Sequence, residues 1–76
     1  MFAWFSKKAR LRRAKAYLRK FPEDEPAAFA ILSFVDLFAV QTAREAAEML
    51  AGTQMTDDEW GKVAPRWERT WAAIVT

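Results

Sequence analysis

The sequence predicts an all-α fold, a small bundle of three helices that forms a single domain over residues 1–76. Apolar residues recur every three or four positions along most of the chain, which is the period of an α-helix. The breaks in this pattern contain prolines or a glycine, residues that commonly end helices. Thr56 and Glu59, three positions apart, form the sequence signature of a capped helix start.

The first predicted helix covers residues 2–21 and is basic and amphipathic. Ser6 offers an alternative start, because a serine can cap a helix that begins at Lys7 and leave residues 1–5 as an aromatic tail. Pro22 ends the helix, since proline disfavours helical geometry in the residue before it. The Lys and Arg side chains fall mainly outside an apolar stripe that consists of Trp4, Leu11, Ala14, Tyr17, Leu18 and Phe21.

The central helix is predicted to follow a short acidic turn, with Asp24 as its cap, and to end at Gly52. A turn this short makes the first two helices antiparallel neighbours. Twelve of the fourteen residues in 27–40 are apolar, and they surround nearly the whole circumference of the helix. Two short neighbouring helices cover only part of such a surface. We therefore expect a second copy of the chain, or another protein, to cover the remainder.

Asp36 lies within this apolar stretch, on the side that the pattern predicts to be dry. An unpaired buried carboxylate is costly, so we expect Asp36 to pair with an Arg of the first helix or with a Trp N–H. A perturbed catalytic acid is the alternative interpretation, but no neighbouring residue would complete a catalytic site.

The last predicted helix begins at the Thr56–Glu59 capping box, and Asp57 and Asp58 occupy its first turn. Pro65 is expected to kink this helix or to split it into two short helices, because its ring clashes with the carbonyl of Gly61. The helix carries an apolar stripe rich in tryptophan, which consists of Trp60, Val63, Ala64, Trp67, Trp71 and Ile74.

The composition argues against several functions. The chain has no His and no Cys, so the commonest general base, the thiolate nucleophile and the usual zinc ligands are missing. It has two glycines and no glycine-rich phosphate loop. We therefore expect no enzymatic activity, no cofactor and no metal. The N-terminus lacks the order of charged and apolar regions that marks a secretory signal, so a cytoplasmic location is expected, with a peripheral membrane location as the alternative.

Charge is distributed unevenly along the chain. Residues 1–21 hold eight Lys or Arg and no acid, whereas residues 22–76 hold four basic and ten acidic residues. A basic helix of this kind can face acidic parts of a protein, the phosphates of a nucleic acid or an anionic membrane surface. The candidate contacts for such a partner are Lys7, Lys8, Arg10, Arg12, Arg13, Lys15, Arg19 and Lys20.

Residues 44–60 resemble the helix-turn-helix units of DNA-binding proteins. The second helix would open with Asp57, Asp58 and Glu59, which repel phosphate, so the basic N-terminal helix is the expected contact if DNA is bound. The spacing that carries the resemblance is that of Ala46, Ala47, Leu50, Thr56 and Trp60.

The best hypothesis for function is a small regulatory or adaptor protein that acts through helix-mediated protein binding and associates with itself, most simply as a homodimer. The first alternative is a nucleic-acid-associated regulator that uses the basic helix. The second is a peripheral membrane protein anchored by Phe2, Trp4 and Phe5 with neighbouring lysines. The candidate protein interface consists of Phe29, Phe34, Phe38, Trp60, Trp67 and Trp71.

Overall fold

A computed structural model describes the backbone of residues 2–75 and the side chains of residues 7–75. Within the described backbone every regular element is helical and no strand occurs, so the predicted all-α class is confirmed. The elements in chain order are α1 (Phe2–Lys20), a 3₁₀ turn (Pro22–Asp24), α2 (Glu25–Phe38), α3 (Ala43–Ala51) and α4 (Asp57–Ile74).

The predicted central helix, which was expected to run from the acidic turn to Gly52, is two helices, so the prediction of one long central helix, and with it the count of three, was wrong. α2 ends at Phe38 and is followed by Ala39, whose φ of 54° is left-handed, and α3 begins after Thr42. The Thr42 hydroxyl oxygen accepts a hydrogen bond from the Glu45 N–H at 3.1 Å, which satisfies a free donor at a new helix start. Segment Pro22–Phe38 and α3 are bent by 99° relative to each other. The second half of the predicted helix therefore turns nearly perpendicular to the first and packs against it.

The other helix ends follow the sequence signals more closely. α1 begins at Phe2 rather than at Lys7, and it ends at Lys20, before Pro22. Gly52 ends α3 with a φ of 77°. At the start of α4 the predicted capping box is confirmed, because Thr56 and Glu59 each accept a hydrogen bond from the other's backbone N–H.

Pro65 lies inside α4, which continues through it as one helix, so a split into two helices does not occur. The kink at Pro65 stays a prediction. α4 packs antiparallel to α1. Arg13 on α1 donates from Nε to the Ile74 carbonyl at 2.8 Å, and Tyr17, one turn later on α1, contacts Thr70, one turn earlier on α4.

The core is built largely from small side chains. Seven of the twelve buried apolar residues in the described part of the chain are alanines, and Ile31 and Ile74 are the large apolar side chains that are fully enclosed. Alanine lets helix backbones approach closely, but each buried alanine removes little apolar surface from water. The buried alanines are Ala14, Ala27, Ala28, Ala30, Ala43, Ala46 and Ala47.

A buried polar group, the Asp24 cluster, joins α1, the 3₁₀ turn and α4. Asp24 is 1% exposed, and its carboxylate accepts hydrogen bonds from the Tyr17 hydroxyl and from Arg69 Nη2, the latter at 2.9 Å. Arg66 Nε lies 2.9 Å from Asp24 Oδ1, and Thr70 Oγ1 lies 3.1 Å from the Tyr17 hydroxyl. Asp24 precedes α2 as predicted, but its side chain makes no cap hydrogen bond to that helix.

Candidate protein interface

α2 presents bulky apolar side chains to the surface, because its alanines face the core. Phe29, Ser33 and Leu37 follow one another at one-turn intervals along the side opposite the core, and we call this line the α2 outer face. Phe29 is 71% exposed and Leu37 is 73% exposed, while Ser33 between them is partly buried. Singly exposed apolar residues are ordinary, whereas larger contiguous apolar patches are typical of interaction surfaces.

A groove runs along each side of the α2 outer face. The first lies between α2 and α3 and has a volume of about 540 Å³. The second lies between α2 and α1 and has a volume of about 190 Å³. The first is lined by Glu25, Pro26, Phe29, Ala30, Ser33, Phe34 and Leu50. The second is lined by Lys7, Leu11, Phe29, Leu32, Ser33 and Asp36.

Phe29 and Ser33 line both grooves, so the outer face is a ridge with an apolar furrow on either side. Further exposed apolar side chains border it: Leu50 from α3 is 52% exposed, and Leu11 from α1 is 46% exposed. Apolar grooves are one of the surface forms that receive the apolar side of a helix in known complexes.

Charged groups stand at the ends of this surface. Asp36 forms an ion pair with Arg10 of α1, which confirms the predicted pairing with an Arg of the first helix. Lys7 Nζ lies 4.0 Å from Asp36 Oδ2. Asp36 borders the second groove with its side chain 21% exposed, so the prediction that it lies on a dry side of the helix was wrong. Glu25, at the opposite end of α2, is exposed on the rim of the first groove.

The aromatic residues predicted as an interface divide into two groups. Phe29 and Phe38 are exposed, and Phe34 is partly buried with its ring 6.0 Å from the ring of Phe38. The tryptophans of α4 face inward: Trp67 is buried in the core, and Trp60 and Trp71 are partly buried and pack against it.

Sequence reasoning missed four exposed apolar side chains, which are Leu11, Leu37, Met49 and Leu50. Leu37 lies two turns from Phe29, but an advance of about 100° per residue places it only about 20° from buried Ala30, so the periodicity alone did not mark it as exposed.

The eight candidate contacts for an anionic partner all lie on α1. Arg10 is occupied by its pairing with Asp36, and Arg13 donates to the Ile74 carbonyl at the end of α4. The others are exposed: Lys7, Lys8, Arg12, Lys15, Arg19 and Lys20. The predicted membrane anchor of Phe2, Trp4 and Phe5 lies outside the described side chains.

Residues 2–75 contain no group of three or more acidic, His or Cys side chains placed to hold a metal ion. None of their helices is by itself both long and apolar enough to cross a membrane; only the bent pair of Pro22–Phe38 with α3 reaches that length and composition together. Comparisons with protein-family models, curated proteins and solved structures find no match to this chain.

Proposed function

We propose that the chain is a small non-enzymatic binding protein, of the regulatory or adaptor kind, that docks the α2 outer face against a helix of a protein partner. The observation that carries this proposal is that α2 buries small side chains and exposes large apolar ones. Alanines fill the core, while Phe29 and Leu37 stand in water at more than 70% exposure. Full burial of one such side chain contributes roughly 1.5–3 kcal/mol, which a complex gains and the isolated chain does not.

The experiment compares two variants of matched chemistry, Phe29→Gln on the outer face and Met49→Gln away from it. Met49 is also exposed, at 41%, but it borders neither of the two grooves. The purified chain is examined for its mass in solution, and the tagged chain is recovered from native-host extract at low and at high salt. We expect association, with itself or with a stoichiometric protein, that survives high salt, weakens in Phe29→Gln and persists in Met49→Gln.

Two results would count against this function. One is a chain that is monomeric and recovers no stoichiometric protein. The other is an association on which Phe29→Gln and Met49→Gln have equal effects. Both variants alter exposed positions, so circular dichroism should show unchanged helix content in each, which separates loss of binding from loss of folding.

A second candidate is binding to nucleic acid through α1, favoured by the six exposed Lys and Arg side chains of that helix. Six phosphate contacts would give a slope of about −5 in a plot of log binding constant against log salt concentration. The α3–α4 turn is a weaker candidate, because the exposed Asp57, Asp58 and Glu59 open α4. Binding to a random-sequence duplex that is independent of salt, or unchanged in Arg12→Gln/Lys15→Gln, would contradict the phosphate mechanism.

A further inference from the structure

The α2 outer face is nearly symmetric about its central residue, so it suits a two-fold axis. Ser33 lies at its centre, and Phe29 and Leu37 lie four residues before and four residues after it, with nearly equal exposures of 71% and 73%. Two such helices that run antiparallel across Ser33 place the Phe29 of each copy beside the Leu37 of the other. We infer that the partner of the α2 outer face is a second copy of this chain, bound antiparallel with Ser33 on the two-fold axis.

The surface relief suits this geometry. Residues spaced by four form a ridge on a helix, and two helices pack when the ridge of each enters a groove of the other, with axes about 8–10 Å apart. The small side chain of Ser33 permits close approach at the crossing point. Phe29 borders both the groove beside α1 and the groove beside α3. The ridge of one copy therefore meets a groove of the other whichever way the two helices are inclined.

The charges select the antiparallel direction. Glu25 is exposed at the N-terminal end of α2, where Glu23 of the 3₁₀ turn is also exposed. Lys7 lies at the other end, beside Asp36. An antiparallel pair therefore brings the acidic N-terminal end of α2 in each copy toward the end of the other that carries Lys7, Arg10 and Asp36, whose charges sum to +1. A parallel pair would place the two acidic ends together. An isologous interface repeats each of these contacts twice.

An interface of ordinary size would occupy a modest share of the surface of this chain. A stable interface buries about 800 Å² on each partner. That is about one seventh of the 5358 Å² surface of this chain. The outer face, its two grooves and the bordering Leu11 and Leu50 form the mostly apolar region on which such an interface would centre. This inference rests on the proposed function and adds the identity of the partner.

A cysteine placed on the axis tests the geometry directly. The chain has no Cys, so Ser33→Cys carries a single thiol, and Thr53→Cys in the exposed α3–α4 turn provides the control. A disulfide needs Cα atoms about 4.4–6.8 Å apart, which the proposed two-fold axis supplies at position 33 and not at position 53. Under mild oxidation we expect Ser33→Cys to become a covalent dimer in high yield, well ahead of Thr53→Cys, with helix content unchanged by circular dichroism.

Charge reversal tests the direction by analytical ultracentrifugation. Glu25→Lys should raise the dimer dissociation constant by about tenfold, since the axis repeats each contact and exposed pairs are individually weak. Lys7→Glu should act similarly, and the double variant Glu25→Lys/Lys7→Glu should restore most of the wild-type affinity.

The inference is overturned by a wild-type chain that stays monomeric across the micromolar range, by Ser33→Cys cross-linking no faster than Thr53→Cys, or by a double variant no tighter than the single ones. A monomeric chain that still recovers a foreign protein through Phe29 would overturn the dimer and leave the proposed function standing. A monomeric chain that recovers none would overturn both.

Discussion

Replacement of Asp24 by the isosteric amide, Asp24→Asn, should remove the polar tie between α1 and α4. The wild-type carboxylate is 1% exposed and accepts hydrogen bonds from the Tyr17 hydroxyl and Arg69, with Arg66 as a second cation 2.9 Å away. The amide keeps the shape of the side chain but loses its charge, and its NH₂ group can be turned toward an arginine. The variant therefore isolates the charge from the packing.

The expected loss can be estimated from burial. Breaking a fully buried ion pair costs about 3–5 kcal/mol because a charge is left without a partner. Here the side chains of Arg66 and Arg69 are 55% and 47% exposed, so water can solvate them after the substitution. We expect the lower end of that range, about 3 kcal/mol in the free energy of unfolding. For a domain of this size that corresponds to a Tm lower by roughly 12–24 °C.

The pH dependence of this loss follows from the pKa of Asp24. Burial alone would raise that pKa, but the hydrogen bonds from Tyr17 and Arg69 and the charges of Arg69 and Arg66 outweigh it and lower the pKa below its ordinary value. A lowered pKa in the folded state contributes stability that is fully present above the unfolded value, about 3.9, and is lost as the pH falls through the folded value. The difference between wild type and Asp24→Asn should be constant from neutral pH to about pH 5 and shrink below about pH 4.

Urea denaturation followed by circular dichroism at neutral pH and in acid measures both effects. Asp36→Asn is the control, because it makes the same substitution at an aspartate whose side chain is 21% exposed rather than fully buried, so the expected loss is smaller. The reasoning would be refuted by an Asp24→Asn loss no larger than that of Asp36→Asn, or by a difference from wild type that is the same at both pH values.

Three further substitutions test the helix ends by thermal denaturation. Ala39→Gly should stabilise the fold by up to about 1 kcal/mol, because Ala39 has a φ of 54°, and a lower Tm would contradict left-handed strain there. Gly52→Ala should destabilise by about 1 kcal/mol at a φ of 77°, although its Cβ would meet no atom within 4 Å, and an unchanged Tm would contradict the strain. Thr42→Ala should cost about 1 kcal/mol through loss of the α3 cap, and a neutral result would mean that solvent replaces the cap.

The sequence contains a signal for the start of α3, but the apolar residues before it favour a continuous helix. Thr42 and Glu45 have the same spacing as Thr56 and Glu59, and Glu45 accepts a hydrogen bond from the Thr42 hydroxyl. The apolar run continues to Val40 with no proline or glycine before Thr42, so periodicity alone favours one long helix. The residue that turns the chain is Ala39, and alanine rarely adopts a positive φ, so no local signal marked the end of α2.

Whether the partner of an ion-paired acid could be predicted from the sequence depended on how far away in the chain that partner lies. The pairing of Asp36 with an arginine of α1 was predictable from two facts, the cost of an isolated charge and the short turn that makes α1 and α2 neighbours. Asp24 offered no comparable clue. Its partners include Arg66 and Arg69, more than 40 residues later, and a helix-start position suggested a local cap instead. The fold decided between the two roles, because α4 brings both arginines to the turn.

The candidate interface exists because α2 places its small side chains in the core and large apolar ones at the surface. Large side chains were expected inside, yet the alanines occupy the core because they let α2, α3 and α4 approach closely, and this choice turns Phe29 and Leu37 outward. A side chain that is already more than 70% exposed contributes little to the folded monomer, so Phe29→Gln should lower the free energy of unfolding only slightly in dilute solution. The same change removes apolar area from the dimer twice. Stability that depends on protein concentration in wild type but not in Phe29→Gln would tie folding and association to this one face of α2.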